Sequence, residues 1–403
     1  MDLNKKPSKR AKAAQAAGKD WTLLVFMVGD VDLSPSIARD VLELQRAGSS
    51  DRVNVLVALQ PTRRSDSEWL EIQPLDNGRP AKTKTIGRSS AAELDDRLKA
   101  FLKKAGEDYP AERFLLVMWG HASGFGFGHF SPGGQEDLIR LSELSGCLAS
   151  LRDTRPGRPK LDILGFCACA VSKAEYAIEL REDVDFLVSS QVGISTLMTW
   201  PFDAIVNRVL MSPEIPADTL ACEIVQTFEQ AYEPPPVALT ALDLNESKSI
   251  ESRVNTIAGA IVQAFGASGI AGRLNSLSVL SAFRRSIAAY PYDVEPLVDF
   301  YDFCDKLITE EALQDTVRAK ARSVLNQGSQ KFVINNARSG PKFAALNGLA
   351  ILAPDFDDPN FGARCDRCAA GAAGSTWLWQ QTKWVEMVRM VHAFAAAEPE
   401  LSE

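Results

Sequence analysis

The sequence FLLVMWGHASGFGFG occupies residues 114–128, and LDILGFCAC occupies residues 161–169. Each segment begins with a short apolar run and then changes to polar or glycine-rich sequence. Short apolar runs bounded by turn residues are typical of central strands in a parallel sheet that is covered on both faces. In such sheets the reacting groups lie beyond the carboxyl ends of the strands. We therefore expect His121 and Cys169 to lie at the same edge of one sheet.

A cysteine and a histidine in this arrangement suggest nucleophilic catalysis. A thiol with the ordinary pKa of ~8.5 is only a few per cent thiolate at neutral pH, so a nucleophilic cysteine needs a base beside it. His121 is one of only three histidines in the chain. The surrounding glycines would let the backbone approach a substrate and donate N–H groups to an oxyanion. The competing interpretation is that Cys169 is a small buried hydrophobic residue, which is the commoner role of such a cysteine.

The two motifs, GHASGFG at 120–126 and DILGFCAC at 162–169 with Glu175 beyond it, resemble those of the clostripain-like cysteine peptidases. These enzymes are relatives of caspases, gingipains and legumain. The resemblance implies an α/β fold of caspase-like α/β/α sandwich type, with a mostly parallel central sheet and a helix-rich C-terminal extension. It also implies that Cys169 is the nucleophile, that His121 is the general acid or base, and that the N–H groups of Ala122 and Cys169 hold the oxyanion. The substrate pocket would include Cys167, Ser190, Gln191 and Trp200.

The sequence departs from the family at two positions. Many clostripain-like enzymes cut after Arg or Lys, and an Asp two residues before the nucleophile helps to bind that basic side chain. This chain has Cys167 there, and the segment QVGISTLMTWPF at 191–202 contains no acid. Since a buried cation without a carboxylate is costly, a pocket for a neutral or apolar residue becomes an alternative, unless Asp203 or another acid restores the charge. Ala122 stands where the family usually has Gly.

The chain divides into three predicted regions: a basic flexible tail at 1–19, a caspase-like catalytic core at 20–210, and a C-terminal α/β region at 211–403 packed on the core. Strand and helix patterns alternate in the core, which favours a doubly wound sheet. The predicted strands are 21–29, 53–59, 69–72, 114–119, 161–166, 186–190, 237–244, 332–335 and 345–352. One predicted helix begins at Ser34-Pro35. The other predicted helices span 90–103, 138–151, 173–180, 214–232, 245–265, 294–308, 310–326 and 377–394.

Residues 125–160 join the histidine strand to the cysteine strand, and their polar, glycine-rich and basic composition is typical of exposed loops that proteases cut. Clostripain-like and caspase-like enzymes are often made as single chains that are cleaved between these strands. We therefore predict a zymogen, with Arg140, Arg155, Arg158 or Lys160 as cut points. An upstream activating protease and a place in a bacterial proteolytic cascade are compatible with this. A different class of function is a catalytically silent protein that binds peptides or regulates another protease.

Composition limits the partners of this 403-residue chain. Its net charge of −8 argues against nucleic acid, because phosphate binding needs a basic surface. The sequence begins without the apolar run of a signal peptide, and no later segment contains ~18 uninterrupted apolar residues. We therefore expect a cytoplasmic protein that does not bind a membrane. Seven cysteines without disulfide-framework spacing suit a reducing compartment. Protein or peptide substrates are the expected partners.

No cofactor is required by cysteine–histidine chemistry, although some relatives use calcium. Asp30 and Asp32 at the end of the first strand could bind a divalent cation, but turn and capping roles are favoured. Cys365 and Cys368 form a lone CxxC motif in a loop rich in glycine and alanine. Zinc would need two further ligands, so a mobile surface loop is favoured over a metal or redox site. Cys167 and Cys169 could also act together as a dithiol.

Overall fold

The computed structural model describes residues 18–29, 32–62, 65–79, 83–130, 137–232, 237–292, 294–326, 329–363, 365 and 376–398. The strands in this part of the chain are β1 (Lys19–Val28), β2 (Val53–Gln60), β3 (Ser67–Glu71), β4 (Lys84–Ser89), β5 (Ala111–Trp119), β6 (His121–Ser123), β7 (Gly126–His129), β8 (Asp137–Arg140), β9 (Leu161–Cys167), β10 (Val184–Ser189), β11 (Ala238–Asp243), β12 (Leu297–Asp299), β13 (Val333–Arg338) and β14 (Ala350–Leu352).

The α-helices of the same residues are α1 (Ser34–Ala47), α2 (Leu94–Asp108), α3 (Leu141–Arg152), α4 (Ala174–Glu179), α5 (Phe202–Met211), α6 (Ala217–Tyr232), α7 (Ser247–Phe265), α8 (Gly269–Ala289), α9 (Phe300–Thr309), α10 (Asp315–Asn326), α11 (Ser329–Phe332), α12 (Trp377–Gln381) and α13 (Trp384–Ala397).

Nine strands form the central sheet, in the order β13-β11-β10-β9-β5-β1-β2-β3-β4. The five middle strands, from β10 to β2, are parallel, and both edges are antiparallel. The antiparallel pairing of β3 with β2 departs from a continuous doubly wound pattern. Only residues 61–66 join these two strands, and a parallel connection needs a dozen or more residues.

Side chains that alternate along the middle strands point into two separate apolar layers. In β1, Leu24, Phe26 and Val28 belong to one layer, whereas Leu23 and Val25 belong to the other. The first layer contains residues of α2, α3, α4 and the C-terminal helices. The second contains residues of α1, α5 and α6. Both faces of the sheet are therefore covered, as the apolar strand sequences predict, and the α/β/α sandwich with C-terminal helices is confirmed.

Several predicted elements need correction. The predicted helix at 138–151 begins at Leu141, because residues 137–140 form β8 in a small sheet with β6 and β7. The predicted helix at 294–308 begins only at Phe300, after β12, and the strand predicted at 345–352 is limited to β14, which pairs with β12. The last helix is divided into α12 and α13. Apolar periodicity alone did not reveal β4, α5 or α8.

Helix α1 begins at Ser34, as predicted, with Leu33 in the N-cap position, and no side-chain hydrogen bond caps the helix. Pro35 lies in the first turn, as predicted. In the part of the chain that the structure describes, no helix is long and apolar enough to cross a membrane.

Candidate active site

Four adjacent strands, β10, β9, β5 and β1, end at the same edge of the sheet. The segments that leave these ends carry the loop 190–200, Cys169, His121 and Asp32, respectively. The register pairs Trp119 of β5 with Cys167 of β9, and the N–H of Gly120 donates to the Cys167 carbonyl at 3.2 Å. Parallel pairing therefore brings together residues that lie far apart in the chain.

One cavity of about 90 Å³ connects these segments. Both His121 and Cys169 contribute to its wall, as the sequence predicts for a shared site. The other residues lining it are Leu33, Trp119, Gly120, Cys167, Ala168, Ile194, Ser195, Thr196 and Thr199.

The thiol of Cys169 is half-buried and contacts the backbone of the loop after β10. Its Sγ accepts a hydrogen bond from the N–H of Ile194 at 3.4 Å and lies 3.7 Å from the carbonyl oxygen of the same residue. Burial raises the pKa of the Cys169 thiol, and the carboxylate of Glu295 raises it further, whereas the Ile194 N–H lowers it. In this geometry the protonated thiol is favoured, so attack requires a base.

The backbone beyond the thiol is held in a turn that few residue types adopt. Ala170 has a φ of 49°, and its N–H donates to the carbonyl of Val192 at 3.0 Å. Alanine in this left-handed region is strained. Among the described residues, the Cys169 N–H has no backbone acceptor.

The imidazole of His121 lies against the carboxylate of Asp32. Its Nε2 is 3.2 Å from Oδ2 and 3.5 Å from Oδ1. An imidazole whose Nε2–H donates to a carboxylate has Nδ1 as its proton-accepting nitrogen. His121 and Cys169 both belong to the part of the chain that the structure describes, and no hydrogen bond joins the imidazole ring to the Cys169 thiol. Asp32 therefore contacts His121, and the sequence did not predict this contact.

The model of the clostripain family matches residues 25–351. The chain belongs to the clostripain family of cysteine peptidases. None of the curated proteins matches it at a significant level.

Solved structures with similar folds include a secreted C11 cysteine protease from Bacteroides thetaiotaomicron, in complex with an irreversible peptide inhibitor. It is 14% identical, with a TM-score of 0.61, and the match covers 92% of this chain and 99% of that one. An inactive zymogen C11 protease from Parabacteroides distasonis is 16% identical, with a TM-score of 0.57 and the same coverage. At these identities the likeness shows the fold, which confirms the caspase-like sandwich.

Of the pocket residues predicted in this clostripain-family chain, Cys167 lines the cavity and the other three lie outside its wall. The hydroxyl of Ser190 accepts from the N–H of Val192 at 3.1 Å. The amide of Gln191 donates to Asp299 at 2.9 Å and accepts from the Gly348 N–H at 2.7 Å. Ser190 and Gln191 therefore shape the loop.

Trp200, the third of these pocket residues, is fully buried. Its ring lies so close to Gly165 of β9 that a Cβ built there would be 2.5 Å away. Its backbone N–H donates to the Cys167 Sγ at 3.4 Å. Trp200 therefore contacts the cavity wall through Cys167.

A buried ion pair holds the segment that follows His121. Lys173 is fully buried, pairs with the carboxylate of Glu295 and donates from Nζ to the Gly124 carbonyl at 2.8 Å. Glu295 accepts from the Gly124 N–H at 2.7 Å. The two charges thus bind both backbone groups of one glycine, whose φ is 57°. Nothing in the sequence near Glu295 indicated this role.

The remaining candidates have other surroundings. Cys365 is buried at 3% exposure, which corrects the prediction of a surface loop there, and Cys368 lies outside the described residues, as does Asp30. Within the described ranges, no group of three or more His, Cys, Asp or Glu side chains is arranged to hold a metal ion. Both Cys167 and Cys169 are free thiols.

Proposed function

We propose that this chain is a cysteine endopeptidase in which Cys169 is the nucleophile and His121 the general acid and base. The observation that carries the proposal is the cavity at the carboxyl ends of β5 and β9, to whose wall both residues contribute. Nucleophiles and their bases occur at this edge of α/β sheets.

The reaction has two stages. The Cys169 Sγ attacks the carbonyl carbon of the peptide and gives its proton to His121, which then protonates the leaving amine as the C–N bond breaks. A water molecule, deprotonated by His121, then attacks the thioester and releases the acid and the free thiol. The Cys169 N–H, and that of Ala122 in β6, stabilise the oxyanion in both stages.

Asp32 orients His121 in this scheme. A carboxylate on Nε2 fixes the tautomer that leaves Nδ1 to exchange the proton, and it stabilises the imidazolium that forms. Asp32 is more than half exposed, so its contribution is smaller than that of a buried acid. No cofactor is needed for these steps, and a requirement for calcium stays a prediction.

We further propose that the chain is a zymogen cleaved within 125–160. The raised pKa of the Cys169 thiol and the lack of a hydrogen bond between His121 and Cys169 suit a form that is not yet active. Among the predicted cut points, Arg140 and Arg158 expose about half of their side chains, at 58% and 47%. Arg155 is buried against Asp162 and the ring of Phe114, which makes it a poor cut point.

The Lys160 side chain is 23% exposed, and residues 131–136 lie outside the described part of the chain. An upstream activating protease, a bacterial proteolytic cascade and a cytoplasmic location stay predictions. The Bacteroides relative is described as secreted, so it does not support the location.

A peptide library incubated with the wild type and with Cys169→Ala, each before and after limited proteolysis, tests the proposal. We expect cleavage that disappears in Cys169→Ala, with the chain itself cut within 125–160 when it becomes active. Mass spectrometry reads both products. Equal cleavage, or none, by the two proteins in every state would refute the peptidase and favour a catalytically silent regulatory protein.

A further inference from the structure

The cavity that connects Cys169 with His121 has an uncharged wall apart from the imidazole. Cys167 and Thr199 lie in this wall, together with the apolar side chains of Leu33, Trp119 and Ile194. No described carboxylate, lysine or arginine is part of the wall. A charged side chain that entered it would lose water without finding an opposite charge in the wall, since Asp32, which contacts His121, lies outside the wall.

A carboxylate does lie close beneath the wall, but its hydrogen-bonding capacity is already used. Asp40 of α1 is fully buried, and its Oδ1 accepts from the Thr199 hydroxyl at 2.9 Å and from Arg39 Nε at 3.0 Å. Its Oδ2 accepts from the Trp119 indole N–H at 2.8 Å. Two of these donors belong to cavity residues, so they separate the acid from the cavity.

Arg39, whose side chain is 36% exposed, is hydrogen-bonded to the same groups. Besides the bond from Nε to Asp40, its Nη2 donates to the Thr199 hydroxyl at 2.6 Å and its Nη1 lies 3.4 Å from the Leu197 carbonyl. The positive charge therefore cancels that of Asp40 at short range. Neither member of the pair is part of the cavity wall.

We propose that this cavity binds a small uncharged side chain of the residue that precedes the scissile bond, and that Cys167 and Thr199 determine this preference. The inference rests on the proposed peptidase function. The residue whose carbonyl carbon Cys169 attacks has its side chain near the Cys169 Sγ, and Cys169 is part of the cavity wall. The substrates are then peptides with residues such as Ala, Thr or Val before the cut.

Cavity size supports the same preference. The volume of about 90 Å³ exceeds the ~10–15 Å³ that holds one water molecule, so a small side chain fits. The fully buried Trp119 and Trp200 and the Thr199–Asp40 hydrogen bond fix the walls. A bulky aromatic side chain would require these groups to move.

Peptides that differ only in the residue before the cut test the preference. The set contains Ala, Thr, Val, Leu, Phe, Arg, Lys, Asp and Glu, and the enzyme is the wild-type chain after limited proteolysis, with Cys169→Ala as the blank. We expect kcat/KM for Ala, Thr and Val to exceed that for Arg, Lys, Asp and Glu at least tenfold. Cleavage preferentially after Arg or Lys, or after Asp or Glu, would overturn the inference while leaving the peptidase intact.

A Cys167→Asp variant adds a carboxylate to the cavity wall and should shift the preference toward Arg and Lys at least tenfold. Cys167→Ser is the matched control that keeps the neutral preference. Cys222→Asp places an equal charge at a half-buried cysteine outside the cavity wall and should change nothing. An unchanged ranking in folded Cys167→Asp would overturn the role of Cys167.

Thermal melting shows whether each variant folds. If Cys167→Asp does not fold, the wild-type ranking still decides the preference. No cleavage of any peptide above the Cys169→Ala blank would overturn the proposed function and, with it, the inference.

Discussion

Replacement of Lys173 by Met tests the buried ion pair behind the histidine loop. Lys173 has no exposed side-chain surface, and Glu295 is 13% exposed. Met has a similar length and no charge, so the change leaves the largely buried Glu295 carboxylate with the Gly124 N–H as its one remaining hydrogen-bond partner among the described residues. Breaking a buried pair in this way costs about 3–5 kcal/mol. We expect Lys173→Met to lower the free energy of unfolding by that amount.

The double variant Lys173→Met/Glu295→Gln separates the ion pair from side-chain packing. Gln keeps an oxygen that accepts from the Gly124 N–H, and no charge is left buried. Removing both charges of a buried pair is often close to neutral, so we expect the double variant to lose about 1–2 kcal/mol and to be more stable than Lys173→Met.

Urea unfolding of the wild type, both single variants and the double variant gives the coupling energy. Lys84→Met is the matched control, because Lys84 is 63% exposed and pairs with Glu71 at 2.9 Å at the surface. It should cost at most about 1 kcal/mol. A Lys173→Met cost no larger than this control, or a double variant less stable than Lys173→Met, would contradict the argument.

Three further predictions concern the site and its support. His121→Ala should lower kcat by a factor of about 10²–10⁴, and Asp32→Asn should lower it by a smaller factor, about tenfold. Both are measured on one peptide that the wild type cleaves, and KM should be nearly unchanged. Equal losses of kcat in the two variants would contradict the positioning role of Asp32. Because burial raises the pKa of the Cys169 thiol, its thiolate fraction grows only as pH rises through that raised value. The rate at which iodoacetamide labels Cys169 in the uncleaved chain should therefore rise with pH with a midpoint above ~8.5. A lower midpoint would show an activated thiolate. Gly165→Ala should lower the free energy of unfolding by about 1–3 kcal/mol, since the new Cβ would lie 2.5 Å from the Trp200 ring. Gly146→Ala in α3 is the control and should not destabilise the protein, because its Cβ would have no atom within 4 Å. Similar denaturant midpoints for the two variants would refute the clash.

The middle of the sheet could be predicted because its strands are nearly continuous apolar runs, interrupted only by Thr22, Asn54 and Asp162. Residues 21–28, 53–58, 114–119 and 161–166 are buried, so the composition of each run identifies it without knowledge of its neighbours. The short elements could not be predicted in this way. β12 has three residues and β8 has four, and their existence depends on partners such as β14 and β7.

His121 and Cys169 could be located from the sequence alone, because each follows an apolar strand directly. A parallel sheet brings the carboxyl ends of such strands to one edge, so chain position decides the place of both residues. The same reasoning could have included Asp32, which follows β1. Its contact with the imidazole depends on the strand order, which puts β1 beside β5.

The sequence by itself determined the fold class, the family motifs and the two residues proposed for catalysis, since these depend on local patterns. Only the tertiary structure decided what surrounds them. Asp40, Thr199 and Glu295 lie 81, 78 and 174 residues from His121 along the chain, and their contacts arise where separate segments of the fold come together. The Thr199 and Trp119 hydrogen bonds to Asp40, and the hydrogen bonds of Lys173 and Glu295 to the Gly124 backbone, depend on distances of about 3 Å between groups that no sequence pattern relates.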